Sequence, residues 1–107
     1  MISVCIATYN GERFIRRQIE TILPQLSAGD EIIVSDDGSS DATVEIVNSF
    51  QSPLIRVVYN QGRHGYTANY EHVLGYAKGD FIFLADQDDE WHPDKVKRCL
   101  EELKSCD

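Results

Sequence analysis

Four short apolar runs mark the chain: ISVCIA (2–7), EIIVS (31–35), LIRVVY (54–59) and FIFLA (81–85). Each has strand length and is rich in Val, Ile or Phe, and the stretches between them leave room for helices. Continuous runs of this kind predict buried parallel strands. In the first intervening stretch Phe14, Ile15, Ile19, Ile22, Leu23 and Leu26 recur at helical spacing, as do Tyr66, Tyr70, Val73, Leu74 and Ala77 in the third. Shorter helices are expected after Asp41, through Val44, Val47 and Phe50, and after Pro93, through Val96, Leu100 and Leu103, with Pro93 suited to a first helical position. The order β-α-β-α-β-α-β-α implies right-handed crossovers and an α/β three-layer sandwich, with a mainly parallel sheet between its helices.

Composition narrows the partners. A chain of 107 residues with 42% hydrophobic content supports one domain with one ordinary core, spanning 1–107. Its formal net charge of −8 argues against a nucleic-acid surface, which needs clustered Lys and Arg. Cys5, Cys99 and Cys106 are odd in number and lack a CxxC spacing, so reduced thiols in a cytoplasmic setting are expected. No apolar run approaches membrane-spanning length, and Ser3, Asn10, Glu12 and Arg13 interrupt the N-terminus too early for a signal peptide. The helical pattern continuing into KRCLEELKSCD suggests the N-terminal part of something longer.

In a parallel sheet ligands bind beyond the carboxyl ends of the strands. That rule selects three polar loops: ATYNGE after the first run, SDDGSSD after the second and DQDDEW after the fourth. Asp86 and Asp88 are two residues apart, so an extended backbone aims both carboxylates to one side. Together they would make a hard-oxygen site for Mg²⁺ or Mn²⁺, and the cation would relieve their repulsion. The competing reading is an acidic turn near the next helix's N-terminus. In the second loop Gly38 permits a tight turn and Asp41 can cap the next helix. Of Asp36 and Asp37, the one facing the crevice could accept a pyrimidine imide N–H or a ribose hydroxyl, unless both only satisfy loop amides. Tyr9 offers either a flat face for a base or a core ring, while Asn10 fits a turn and Gly11 allows close backbone approach. Trp91 is open between core and sugar platform. His64, His72 and His92 lack metal-ligand spacing and read as surface or capping residues.

These loops in this order resemble family 2 glycosyltransferases of the GT-A fold, the nucleotide-sugar-dependent class that includes bacterial polysaccharide synthases. The resemblance runs from SVCIATYNGERF through IIVSDDGSSDAT to GDFIFLADQDDEWHPDKV, and DQDDxW followed by PDK is similar to rhamnosyltransferase-type members. It implies a truncated GT-A (nucleotide-diphospho-sugar transferase) sheet carrying the donor half. The segment Ala7, Thr8 and Tyr9 would surround the pyrimidine, with Tyr9 stacking on it and Asp37 bonded to the base. Asp86 would lie near the ribose or the metal. Asp88 would be the direct ligand of Mn²⁺ or Mg²⁺, with Asp89 as its neighbour. The partners implied are a UDP- or dTDP-linked sugar and a saccharide or lipid-linked saccharide acceptor, with membrane association arising through the parent protein. The family's Ala-Arg-Asn run is reduced here to Ala68 and Asn69 without the Arg, for which Arg63 is a candidate substitute. Its catalytic base lies beyond Asp107, so no residue of this chain is assigned as catalytic.

Two other classes share some of these features. A nucleotidyltransferase would carry a Gly-rich phosphate loop with a basic residue after the first strand, where YNGERF has one Gly. A phosphoacceptor receiver domain would need an acid after its middle strand, where VVYNQG has none.

Overall fold

The computed structural model describes residues 1–86 and 90–105, with Asp86 and residues 103–105 described by backbone alone. Its elements are β1 (Ile2–Thr8), α1 (Ile15–Ile22), β2 (Glu31–Asp36), α2 (Thr43–Ser49), β3 (Ile55–Tyr59), α3 (Tyr66–Leu74), β4 (Phe81–Asp86) and α4 (Lys95–Ser105). A single 3₁₀ turn, Leu23–Gln25, extends α1. The four strands form one parallel sheet in the order β3-β2-β1-β4. The first crossovers step outward from β1 through β2 to β3, and the third returns to β1's other side. The winding direction therefore reverses at β1, the kind of point at which open α/β sheets bind ligands.

The alternation of strand side chains divides the core into two layers. Ile2, Val4 and Ile6 of β1, with Ile32 and Val34 of β2, pack against Ile15, Ile19 and Ile22 of α1, Val47 of α2 and Val96 of α4. Cys5 and Ile33 face the other way and meet Val73 of α3. Each fully buried Ile contributes about 1.5–3 kcal/mol relative to an exposed one. Near α4 the polar Gln25 supplies a tie that the apolar pattern does not announce: its Nε2 donates to the His92 carbonyl (2.8 Å) and its Oε1 accepts from the Val96 amide (2.9 Å).

The expectation of four buried strands holds for β1 and β2 and needs correction at the edges. β3 is only partly buried. On β4, Ile82 and Leu84 are 48% and 53% exposed, because α3 lies over β1 and β2 and leaves that face of β4 uncovered. Trp91 is 4% exposed within the α1 and α4 layer, its ring 5.6 Å from that of Phe83, which makes it a core residue and removes the sugar-platform reading. On α3, Tyr66 and Leu74 stand at helical spacing but are exposed, and the buried positions are Asn69 and Val73.

Asn69 explains how α3 is seated. Its Nδ2 donates to the Ser35 carbonyl at 3.0 Å, and its Oδ1 accepts from the Ser35 hydroxyl at 2.6 Å. Since that hydroxyl has one proton and spends it on Asn69, His72 Nδ1, 2.8 Å from the same oxygen, must carry the hydrogen of their bond. The helix is thus anchored to β2 by a buried polar cluster as well as by Val73.

Candidate functional site

The loops after β1 and β2 are laced together. Asn10 Oδ1 accepts from the Ser40 amide (2.8 Å) while the Asn10 amide donates to Ser39 Oγ (2.8 Å). Gly11 N–H donates to Thr43 Oγ1 (2.9 Å), the Glu12 amide donates to Asp41 Oδ2 (3.2 Å), and Glu12 Oε2 accepts from the Ala42 amide (3.1 Å). Asp41 also receives the Thr43 amide (3.0 Å) and hydroxyl at the start of α2, the capping role expected of it.

Asp36 and Asp37 have different tasks. Asp36 is 2% exposed and accepts from the Thr8 hydroxyl (2.9 Å), the Ser39 hydroxyl (2.6 Å) and the amides of Gly38 (3.1 Å) and Ser39 (2.8 Å), with Gly38 at φ +89°. It satisfies the loop. Asp37 instead reaches the connection after β3: its Oδ1 accepts from His64 Nδ1 (2.6 Å) and Asn60 Nδ2 (3.1 Å), and its Oδ2 from the Gly65 amide (2.9 Å). Burial alone would push the Asp37 carboxyl up, but the bonds from Gly65, His64 and Asn60 outweigh it and hold the group below its ordinary range. Gly65 sits at φ +114°, a conformation that favours glycine, and this turn presents its amide to Asp37 as α3 begins. Asn60 is itself fixed by its bonds to the Arg63 carbonyl and the Gly62 amide.

Tyr9 is 56% exposed, so it is not a core ring. Ala7 and Thr8 are buried, and the Thr8 hydroxyl is spent on Asp36, which leaves this pair as a backbone floor beneath Tyr9. In register, Thr8 lies beside Asp36 and Ala7 beside Asp86. Asp37 and Asp86 therefore stand at the ends of the two strands that flank β1, two strand spacings apart across the sheet and two residues out of step along it. The structure places Ala7, Thr8, Tyr9, Asp37 and the backbone of Asp86 at the carboxyl ends of the neighbouring strands β1, β2 and β4. Asp88 and Asp89 lie outside the described residues. Among the described residues no group of three His, Cys, Asp or Glu side chains is assembled that could hold a metal ion. The donor set named by the sequence, carboxylates at positions 86 and 88, suits a hard divalent cation by its chemistry.

Some roles at these strand ends escaped the sequence: Asn60 was not singled out, and His64, expected as a surface or capping residue, grips Asp37 together with it. Tyr66 at the start of α3 is 66% exposed, and its ring meets that of Tyr70 edge-on at 4.8 Å. Arg63 lines an open cavity of about 310 Å³ with Asn60, Ala68, Glu71 and His72, on the side of α3 turned away from Tyr66 and Tyr70.

A parallel sheet whose winding reverses at β1 defines the class, an open α/β domain of the kind that binds ligands beyond its strand ends. The sequence profile of glycosyl transferase family 2 matches residues 3–107, and the chain belongs to that family. It is 34% identical over 97 residues to the Escherichia coli UDP-Glc:alpha-D-GlcNAc-diphosphoundecaprenol beta-1,3-glucosyltransferase WfgD, covering 91% of this chain and 38% of that protein. It is 32% identical over 103 residues to the dTDP-rhamnosyl transferase RfbG of Shigella flexneri, covering 90% of this chain and 36% of that protein. Among solved structures, glucosyl-3-phosphoglycerate synthase from Mycobacterium tuberculosis in complex with Mn²⁺, UDP and glucosyl-3-phosphoglycerate superposes with a TM-score of 0.82 at 28% identity, covering 96% of this chain and 39% of that one. The fold is of the GT-A type. The chain spans well under half the length of these relatives, and family membership sets aside the nucleotidyltransferase and receiver readings.

Proposed function

We propose that the protein containing this chain transfers a sugar from a nucleoside diphosphate donor to an acceptor hydroxyl, with inversion, in the synthesis of a bacterial polysaccharide or cell-surface glycan. Residues 1–107 form a single domain supplying the donor site. The observation that carries the reading is the pairing of exposed Tyr9 with Asp37 across the β1 and β2 ends. A carboxylate offers about four acceptor positions, and the described donors take three at Asp37, two on Oδ1 and one on Oδ2. Oδ2 keeps one for the imide N–H of a uracil or thymine, while Tyr9 stacks on the ring above the backbone of Ala7 and Thr8. From there the ribose and diphosphate extend toward Asp86.

Asp88, assisted by Asp86, would hold Mn²⁺ or Mg²⁺, which when bound supplies positive charge to the diphosphate leaving group. The Mn²⁺ in the glucosyl-3-phosphoglycerate synthase complex supports a divalent metal at this site. In the transfer the acceptor oxygen bonds to the anomeric carbon as the bond from that carbon to the diphosphate oxygen breaks. The acceptor proton passes to a carboxylate base outside this chain. The relatives active on UDP- and dTDP-sugars support a pyrimidine donor. The acceptor is a saccharide or lipid-linked saccharide. A cytoplasmic location, with membrane contact through the parent protein, fits such an acceptor, and no helix among the described residues is long and apolar enough to cross a membrane.

Titration calorimetry with UDP and dTDP, in excess Mn²⁺ and again with chelator, tests this reading. Binding should be at least tenfold tighter with the metal, since a chain of net charge −8 otherwise repels a diphosphate. Equal affinity in both conditions would remove the metal bridge, and no binding in either would remove the donor site.

A further inference from the structure

We propose that Tyr66 is a specificity-determining residue of the donor site that stacks against the sugar ring of the nucleotide sugar. The proposal rests on the donor-site reading above. Three contacts locate the ring. Gly65, immediately before it, donates its amide to Asp37 at the end of β2. Tyr70, one turn further along α3, donates its hydroxyl to the Ala85 carbonyl (2.8 Å) at the end of β4. The Tyr66 ring leans edge-on against the Tyr70 ring at 4.8 Å. The start of α3 therefore lies at the strand ends beside Asp37, and Tyr66 leans on a tyrosine whose hydroxyl is tied to the end of β4.

The same contacts decide which part of a donor it meets. The base end is set by Asp37 and Tyr9, whereas Tyr66 is buttressed from the residue preceding Asp86, where the diphosphate and its sugar lie. An aromatic face offers little to a diphosphate but packs well on the axial C–H face of a pyranose, with an orientation fixed by the edge contact to Tyr70. Tyr66 shares a helix face with Asn69, Tyr70 and Val73 by its i, i+3, i+4 and i+7 spacing, yet it is 66% exposed where Asn69 and Val73 are buried, so its ring is presented to solvent at the helix start while Tyr70 packs against the Cys5, Ile33 and Val73 cluster. Its substitution should leave the anchoring of α3 intact, because that rests on Asn69 and Val73.

Binding of UDP and dTDP, and of UDP-glucose, UDP-N-acetylglucosamine and dTDP-rhamnose, should be measured by ligand-observed NMR in Mg²⁺ for the unaltered chain, Tyr66→Ala and Tyr66→Phe. The expected result is that at least one nucleotide sugar binds more tightly than its parent nucleotide. In Tyr66→Ala that sugar increment falls roughly three- to tenfold, with UDP and dTDP unchanged. Tyr66→Phe keeps the increment. An equal loss for the bare nucleotides, an unchanged increment in Tyr66→Ala, or no increment with any of the three sugars would each overturn the proposal. Failure of UDP and dTDP to bind the unaltered chain would instead overturn the donor-site reading beneath it.

Discussion

Asp37 has a structural role beside its proposed one, and pH isolates the structural part. Structurally it joins the loop after β2 to the loop after β3 through Asn60, His64 and Gly65. In the proposed function it also reads the base. Replacing it by Asn turns one acceptor oxygen into an NH₂ group facing one of the present donors, the Gly65 amide if the Oδ1 bonds are kept. That should cost roughly 1–3 kcal/mol at neutral pH. Because the folded carboxyl is held below its ordinary range, its stabilisation is present above the unfolded value of about 3.9. It is lost as pH falls through the lower folded value. Urea midpoints of Asp37→Asn and the unaltered chain should therefore differ at pH 7 and converge below about pH 4. A gap that persists undiminished into acid would mean that packing, and not the ionised carboxylate, holds the two loops together.

At the scale of elements, the strands were legible because each is a run of Val, Ile and Phe, and the observed bounds fall within a residue of the runs. The strand-end rule selected loops that the structure does place side by side, with Tyr9 after β1, Asp37 after β2 and Asp86 at the end of β4. The faces of α3 were not legible. Counting apolar side chains marks Tyr66 and Leu74 as inward, whereas the buried face centres on an amide, Asn69, which answers backbone and hydroxyl groups at the end of β2. The roles of His64 and Asn60 were invisible for a related reason: their value lies in contact with an aspartate more than twenty residues away, and local pattern carries no trace of it. The one available signal was Gly65 between a polar loop and a helix start. If the Asn69 amide seats α3, then Asn69→Leu should lose roughly 1–3 kcal/mol in chemical unfolding despite its added apolar bulk. It removes the Asn69 bonds to the Ser35 hydroxyl and carbonyl, leaving the hydroxyl with His72 and the carbonyl with the longer Thr8 contact. A variant as stable as the unaltered chain would assign the seating of α3 to Val73 alone.

For the whole molecule the decisive asymmetry is the uneven cover of the sheet. α1, α2 and α4 line one face, while α3 alone serves the other and lies over β1 and β2. β4 is left as an edge strand with Ile82 and Leu84 about half exposed on the thinly covered face. Exposed apolar side chains along an open strand edge combine two drives to associate, unpaired backbone groups and unburied hydrocarbon. The 107-residue chain in isolation should therefore self-associate reversibly as its concentration rises. Leu84→Lys places a charge on the face that association would bury, so it should hold the chain as a monomer at concentrations where the unaltered protein forms larger species. Because Leu84 is already 53% exposed, the change in folding stability should stay within about 0.5 kcal/mol, as for ordinary surface substitutions. Sedimentation velocity across a concentration series, paired with melting curves, checks both halves. A monomeric unaltered chain, or association that Leu84→Lys does not reduce, would show that the β4 face does not drive contact between copies.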